Sequence, residues 1–307
     1  MCQRLFDLHC DTAVKLFQTK QSLKENHLHI SLAKASAFPC YRQIMAIWSD
    51  DTLNDEQAFQ RFLEVSDNIH QQCQAKNVCF PLLTSGKTLP FRGAFLAVED
   101  ARILAQKTER LQMLYDLGVR FLTLVWGGIS CIGGAHDITA GLTPFGMWVT
   151  KKCFSLGIVP DISHASVKTA DEIFFLAHEC GKPVIASHSN SFAVCPHSRN
   201  LRDSQFLSIK QLGGIVGICL CPAHLATQNT KADVLSVLQH IEHFYALGGE
   251  DCLALGCDFD GTELPVGFSS IKDLSLLAEE LSKHGYSDLQ IEKLFSKNAE
   301  EFVKKNI

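Results

Sequence analysis

Residues 4–12 read RLFDLHCDT, a short apolar run that closes on His9 and Asp11, two positions apart. In an extended strand residues i and i+2 point to one face, so an imidazole nitrogen and a carboxylate oxygen can converge there as a pair of metal ligands. His-x-Asp is common, and a solvated strand end would look the same. The surrounding pattern decides between the two. Seven more apolar runs follow, at 43–48, 93–99, 119–125, 157–163, 183–188, 213–220 and 253–258. Between them lie amphipathic patterns that predict helices over 55–76, 100–117, 145–156, 167–180, 203–212 and 232–247. In the first of these helices Phe59, Phe62, Leu63, Ser66 and Ile69 form the stripe. Residues 10–42 are compatible with one helix and an irregular loop, and two helices within 271–304 close the chain.

Eight nearly continuous apolar strands alternating with helices predict an α/β fold, a parallel (β/α)8 TIM barrel covered on its outer face. An open doubly wound sheet is the alternative, but no Gly-x-Gly-x-x-Gly follows the first strand. The chain has 307 residues, 46% of them hydrophobic, and no Pro-rich linker, repeat or single-sign charge run divides it. We therefore read residues 1–307 as a single barrel domain with C-terminal helices. A formal net charge of −5 argues against nucleic acid or an anionic membrane as a partner. The thirteen cysteines are odd in number, and Cys153, Cys180, Cys219 and Cys252 sit within apolar or helical runs. That pattern predicts reduced, mostly buried thiols rather than a disulfide framework. The N-terminus has no room for a cleavable apolar segment before His9, and no run of about 18 apolar residues occurs, so the expectation is a soluble, cytoplasmic protein.

In a barrel the active site lies at the C-terminal ends of the strands. Here the candidate strands end at His9 and Asp11, at Glu99, just before His164, at His188 and at Asp258. Six such groups exceed the needs of one tetrahedral zinc. They suggest two metal ions about 3.5–4 Å apart, bridged by Glu99, with His9 and Asp11 on one ion and His164 and His188 on the other. A water shared by the ions would lose a proton near neutral pH and serve as a bridging hydroxide nucleophile. Asp258 is then left as general base and acid for an amide bond.

The blocks DLHCDT, AVED (97–100), LTLVW (122–126), GLTPFG (141–146), DISH (161–164), SHSNSFAVCPHSRNLRD (187–203) and GCDFDG (256–261) resemble those of the membrane dipeptidase (renal dipeptidase) family of the amidohydrolase superfamily, in a bacterial-type form. The resemblance implies a binuclear zinc dipeptidase with two Zn2+ per chain. It places the ligands on His9, Asp11, Glu99, His164 and His188, and the acid/base on Asp258. It also implies Arg199 as the clamp on the free carboxylate of a small dipeptide, tolerance of a D-residue at that end, and a homodimer as the common assembly. A guanidinium fork suits a carboxylate bidentately.

Two substrate-binding positions depart from the family. Trp126 stands where many relatives place an oxyanion-contacting histidine, and an indole can donate one N–H but carries no cationic charge. Cys219, Leu220 and Cys221 replace an Asn-Phe-Tyr run, so a pocket tyrosine falls to Cys221. His136 reads as an exposed loop histidine, and His240 and His243 as helix-face residues packed on the barrel. Asp260 and Gly261 read as residues that shape the last loop. Alternative readings keep the binuclear site for an N-acyl-amino acid, a lactone or a phosphoester, or retain the metal without turnover.

Overall fold

A computed structural model of the chain describes residues 3–228 and 231–307. Its strands are β1 (Arg4–Cys10), β2 (Cys40–Trp48), β3 (Leu82–Leu83), β4 (Arg92–Glu99), β5 (Val119–Thr123), β6 (Val159–Asp161), β7 (Ile185–Ala186), β8 (Ile215–Ile218) and β9 (Leu253–Leu255). All named strand pairs are parallel, and the pairing β2–β4 together with β1–β9 closes eight strands into a ring. The fold is thus a (β/α)8 barrel. The two-residue β3 was not anticipated; it adds outside the ring, against Ala94 and Phe95 of β4.

The major helices are α1 (Thr12–Thr19), α2 (Asp55–Gln74), α3 (Thr108–Asp116), α4 (Pro144–Leu156), α5 (Val167–Cys180) and α6 (Asp203–Gln211), followed by α7 (Pro222–Leu225), α8 (Val234–Ala246), α9 (Leu274–Lys283), α10 (Asp288–Glu292) and α11 (Asn298–Asn306). Sequence marks several of their starts. Asn54 and Gln57 form a capping box on α2, Thr143 caps α4 with Pro144 in its first turn, and Ser166 caps α5. Two expected helices are interrupted. The first breaks into a 3-10 turn, Ala101–Leu104, before α3, because Ala105 and Gln106 adopt left-handed backbone. The last carries a π turn, Lys293–Lys297, between α10 and α11. One cysteine expectation also needs correcting: Cys180, at the end of α5, is exposed, although all twelve described cysteines are free.

Inside the ring Phe6, Leu8, Ile44, Phe95, Phe121 and Val159 pack on one another, and Phe302 and Val303 of α11 seal the bottom. The larger core lies between barrel and helices, as the outward-facing strand positions require. At the sealed end Glu300 accepts from Arg4 at 2.6 Å, Arg42 at 2.7 Å and Ser296 at 2.6 Å. Burial opposes its charge, but these donors outweigh it and hold the carboxyl below the usual range. Its stabilisation is therefore present above the ordinary Glu pKa of about 4.3 and lost as pH falls through the lower folded value. Glu300→Gln is expected to cost about 3 kcal/mol at neutral pH, with the gap to wild type narrowing in acid, in urea melts at both pH values. An equal gap at the two pH values would remove the ion pair from the account.

Candidate active site

The C-terminal ends of the ring strands open into a cleft of about 500 Å³ lined by Asp11, Glu99, His164, Arg199 and Asp258, with Trp48 and Trp126 on one side. A larger cavity, about 690 Å³, lies at the opposite end against Arg4, Pro39 and Phe91, away from these groups. Each residue reaches the cleft by a local device. The register of β1 on β2 slips between Asp7 and Cys10, where His9 turns into the mouth. Asp11 lies beyond the strand, at the N-cap of α1, so the pair does not share a flat strand face as expected. The turn still sets Asp11 Oδ2 3.6 Å from His9 Nε2. His164 and Asp258 both have left-handed backbone, at φ 70° and 61°, a conformation that a non-glycine residue holds only when its surroundings impose it. Asp258 N donates to the His9 carbonyl at 3.1 Å, which ties the ends of β1 and β9 together.

Glu99 is the centre of the cluster. Its Oε2 is 3.5 Å from His9 Nε2, whereas its Oε1 is 3.0 Å from His164 Nε2 and 3.6 Å from His188 Nε2. The three imidazoles are oriented from behind. Ser187 Oγ gives its only proton to Asp161 at 2.5 Å, so it must accept from His188 Nδ1 at 2.8 Å and His9 Nδ1 at 3.3 Å. His164 Nδ1 lies 3.0 Å from the Trp126 carbonyl, an acceptor only. Every Nε2 therefore presents a bare lone pair to the cleft. His164 and His188 face each other at 3.0 Å, and His9 Nε2 is buried without a hydrogen-bond partner. Facing lone pairs beside three carboxylates call for a cation, and the donor set fits one or two divalent ions. Glycine at 261 is required by the same crowding, because a Cβ there would collide with Asp11 Oδ2 and Asp258 Oδ1.

Electrostatics divide the cleft. Burial opposes a positive charge at His9, yet Glu99 and Asp11 push its pKa well above the usual range, so they favour a cation at its Nε2, and that lone pair is bare only where a metal ion takes the place of the proton. Burial, then Arg199, depresses His164; burial, then His9 and Arg199, depresses His188. Asp258 is pushed well up by burial, with the Asp11 and Glu99 charges adding to it. Arg199 is itself buried, its Nη2 contacts His188 Nε2 at 2.8 Å, and its Nη1 has no partner.

All nine residues nominated from sequence come together here, His9 and His188 through Glu99 and the others as walls of the cleft. Trp126 contributes its carbonyl to His164 and sets its indole at a tilt against Trp48, with ring centroids 5.2 Å apart. Cys221 lines the cleft, and its N–H meets Cys219 Sγ at 3.4 Å. His136 is not the exposed loop residue expected: it is half-buried, lines the cleft and lies 2.9 Å from Ser198 Oγ. His240 is structural, accepting from Ser191 N at 3.0 Å, and Asp260 braces the last loop through Thr12 and His29. Sequence reasoning passed over Ser187 and Asp161, short polar neighbours of His188 and His164 that no periodicity distinguishes. Ser187→Ala is expected to weaken metal affinity about 10- to 100-fold in competition with a chelator, because it releases two imidazoles at once. Unchanged affinity would deny Ser187 that orienting role.

A parallel barrel with a histidine and carboxylate cluster at its C-terminal mouth defines a metal-dependent hydrolase. The family model for membrane dipeptidase (peptidase family M19) matches residues 2–305. The chain belongs to that family, and it is a metal-dependent dipeptidase. A Klebsiella pneumoniae protein described as an uncharacterized protein in the pqqA 5′ region is 33% identical over 199 residues, covering 61% of this chain and 72% of its own. The fold is shared, at TM-score 0.92 and 23% identity over 100% of both chains, with a Rhodobacter sphaeroides metallopeptidase liganded with a phosphinate mimic of the dipeptide L-Ala-D-Ala. The probable dipeptidase PvdM from Pseudomonas aeruginosa is also similar, at TM-score 0.87 and 18% identity over 99% of this chain and 96% of that one. No helix among the described residues is long and apolar enough to cross a membrane.

Proposed function

We propose that this barrel hydrolyses the amide bond of dipeptides with two zinc ions, held by His9 and Asp11 on one side and His164 and His188 on the other, with Glu99 between. The observation that carries the reading is the division of Glu99, one oxygen toward His9 and the other toward His164 and His188. Imidazole donors suit zinc. When bound, such ions acidify a water and polarise the scissile carbonyl. Asp258, whose carboxyl pKa is pushed up by desolvation, takes the proton of the attacking water and delivers it to the leaving amine. Arg199 holds the free carboxylate and so sets the distance from chain end to scissile bond. Acceptance of a D-residue at that end is part of the proposal, supported by the ligand of the Rhodobacter sphaeroides structure. Free thiols throughout the described chain support a reducing, cytoplasmic setting.

The test is a panel of L,L and L,D dipeptides with metal-loaded and chelator-treated protein. Metal-dependent cleavage is expected, and its absence across the panel would sink the reading. Arg199→Ala is expected to lower kcat/KM for dipeptides about 100-fold, mostly through KM, while a neutral ester or lactone changes little. Equal losses on charged and neutral substrates would remove the carboxylate clamp.

A further inference from the structure

Around Arg199 the cleft has a wall that the hydrolysis of a simple dipeptide does not use. His136 and His197, from two different loops, and His224, from the short helix α7, line the cleft beside the guanidinium. Their rings form a continuous row, with centroids 6.5 Å apart between His136 and His197 and 4.7 Å between His197 and His224. These three do not close on a common point at ligand distance as the Glu99 cluster does, so the row is not a further metal centre among the described residues.

The loop 197–199 builds the row. Arg199 N donates to His197 Nδ1 at 3.2 Å, which leaves the proton of a neutral His197 on Nε2. Ser198 Oγ holds His136 Nδ1 at 2.9 Å, and Arg199 Nη1 is buried and unpartnered. Asp137, the carboxylate next to His136 in the chain, is engaged with Gly128 N at 2.9 Å. Neutral imidazoles each offer one N–H, and here they flank a guanidinium with an unused donor. A group with several acceptor lone pairs and a negative charge suits such a wall, whereas an alkyl side chain would strand its donors.

We propose that the preferred substrates carry an acidic C-terminal residue, aspartate or glutamate, whose side-chain carboxylate is read by His136, His197 and His224 while Arg199 holds the α-carboxylate. This rests on the dipeptidase reading above and narrows it to a substrate class. A merely space-filling row would be indifferent to the charge of that side chain.

The experiment compares Ala-Glu, Ala-Gln and Ala-Ala, each with an L or a D C-terminal residue, on the metal-loaded enzyme. Ala-Glu is expected to exceed Ala-Gln in kcat/KM by about tenfold. His197→Phe should bring that ratio close to one, and His197→Gln, which keeps an N–H donor, should restore part of it. Calorimetry gives a readout without turnover: glutamate should bind more tightly than glutamine to the wild type, and the difference should vanish in His197→Phe. Hydrolysis of all three peptides at similar rates overturns the acidic-residue inference and leaves the dipeptidase reading standing. So does an Ala-Glu preference that survives both His136→Phe and His197→Phe. Hydrolysis of none overturns both.

Discussion

Asp258→Asn is expected to lower kcat for a dipeptide by about 10²- to 10⁴-fold, the range that a positioned general acid–base contributes. Asparagine preserves the size of the side chain and its contact with Cys219 Sγ, which lies 3.9 Å from Asp258 Oδ2. It cannot accept and then release a proton. The left-handed backbone at φ 61° tolerates asparagine better than most residues, so the substitution tests chemistry rather than folding. Metal content should be measured on the same sample. Asp258 Oδ1 is 3.9 Å from His9 Nε2, close enough that a ligand role must be separated from a proton-transfer role. Near-wild-type metal with a large loss of kcat supports proton transfer. An unchanged kcat would move that task to another group, and a proportional loss of metal would make Asp258 a ligand.

Glu99→Ala is expected to abolish measurable hydrolysis and to reduce bound metal from about two ions per chain to fewer than one. His188→Ala, by contrast, should leave about one. The difference follows from position. Glu99 faces both groups of imidazoles, and it is held at the end of β4 by a strand register that runs unbroken along β2 from Tyr41–Arg92 to Trp48–Glu99. Removing it withdraws a donor from both halves of the cluster and leaves buried lone pairs uncompensated. Should Glu99→Ala retain two ions, the bridging assignment fails, and the two halves bind independently. Elemental analysis of dialysed protein reads the outcome without reference to activity.

Much of this site is legible in the chain because its chemistry sits at strand ends and strand ends are marked by apolar runs. His9, Glu99, His188 and Asp258 each follow such a run, and the alternation of runs with amphipathic stretches specifies the barrel that collects them. Boundaries were less legible where backbone conformation is set by packing. The break at Ala105 and Gln106 and the slip in β1 carry no composition signal. His136 was misjudged for the same reason. A histidine in a Gly-rich stretch looks solvated until Ser198, 62 residues later, folds over against it.

Residue type and periodicity are local properties, and from them the chain alone determined a parallel barrel with imidazoles and carboxylates at one mouth. Tertiary structure decided which lone pair each group presents. Ser187 orients His9, 178 positions away in sequence, only after β7 and β1 have joined the same ring. Likewise the row of His136, His197 and His224 beside Arg199 exists only where two loops and the short helix α7 meet, because hydrogen-bond direction is fixed by atoms in contact and not by spacing along the chain.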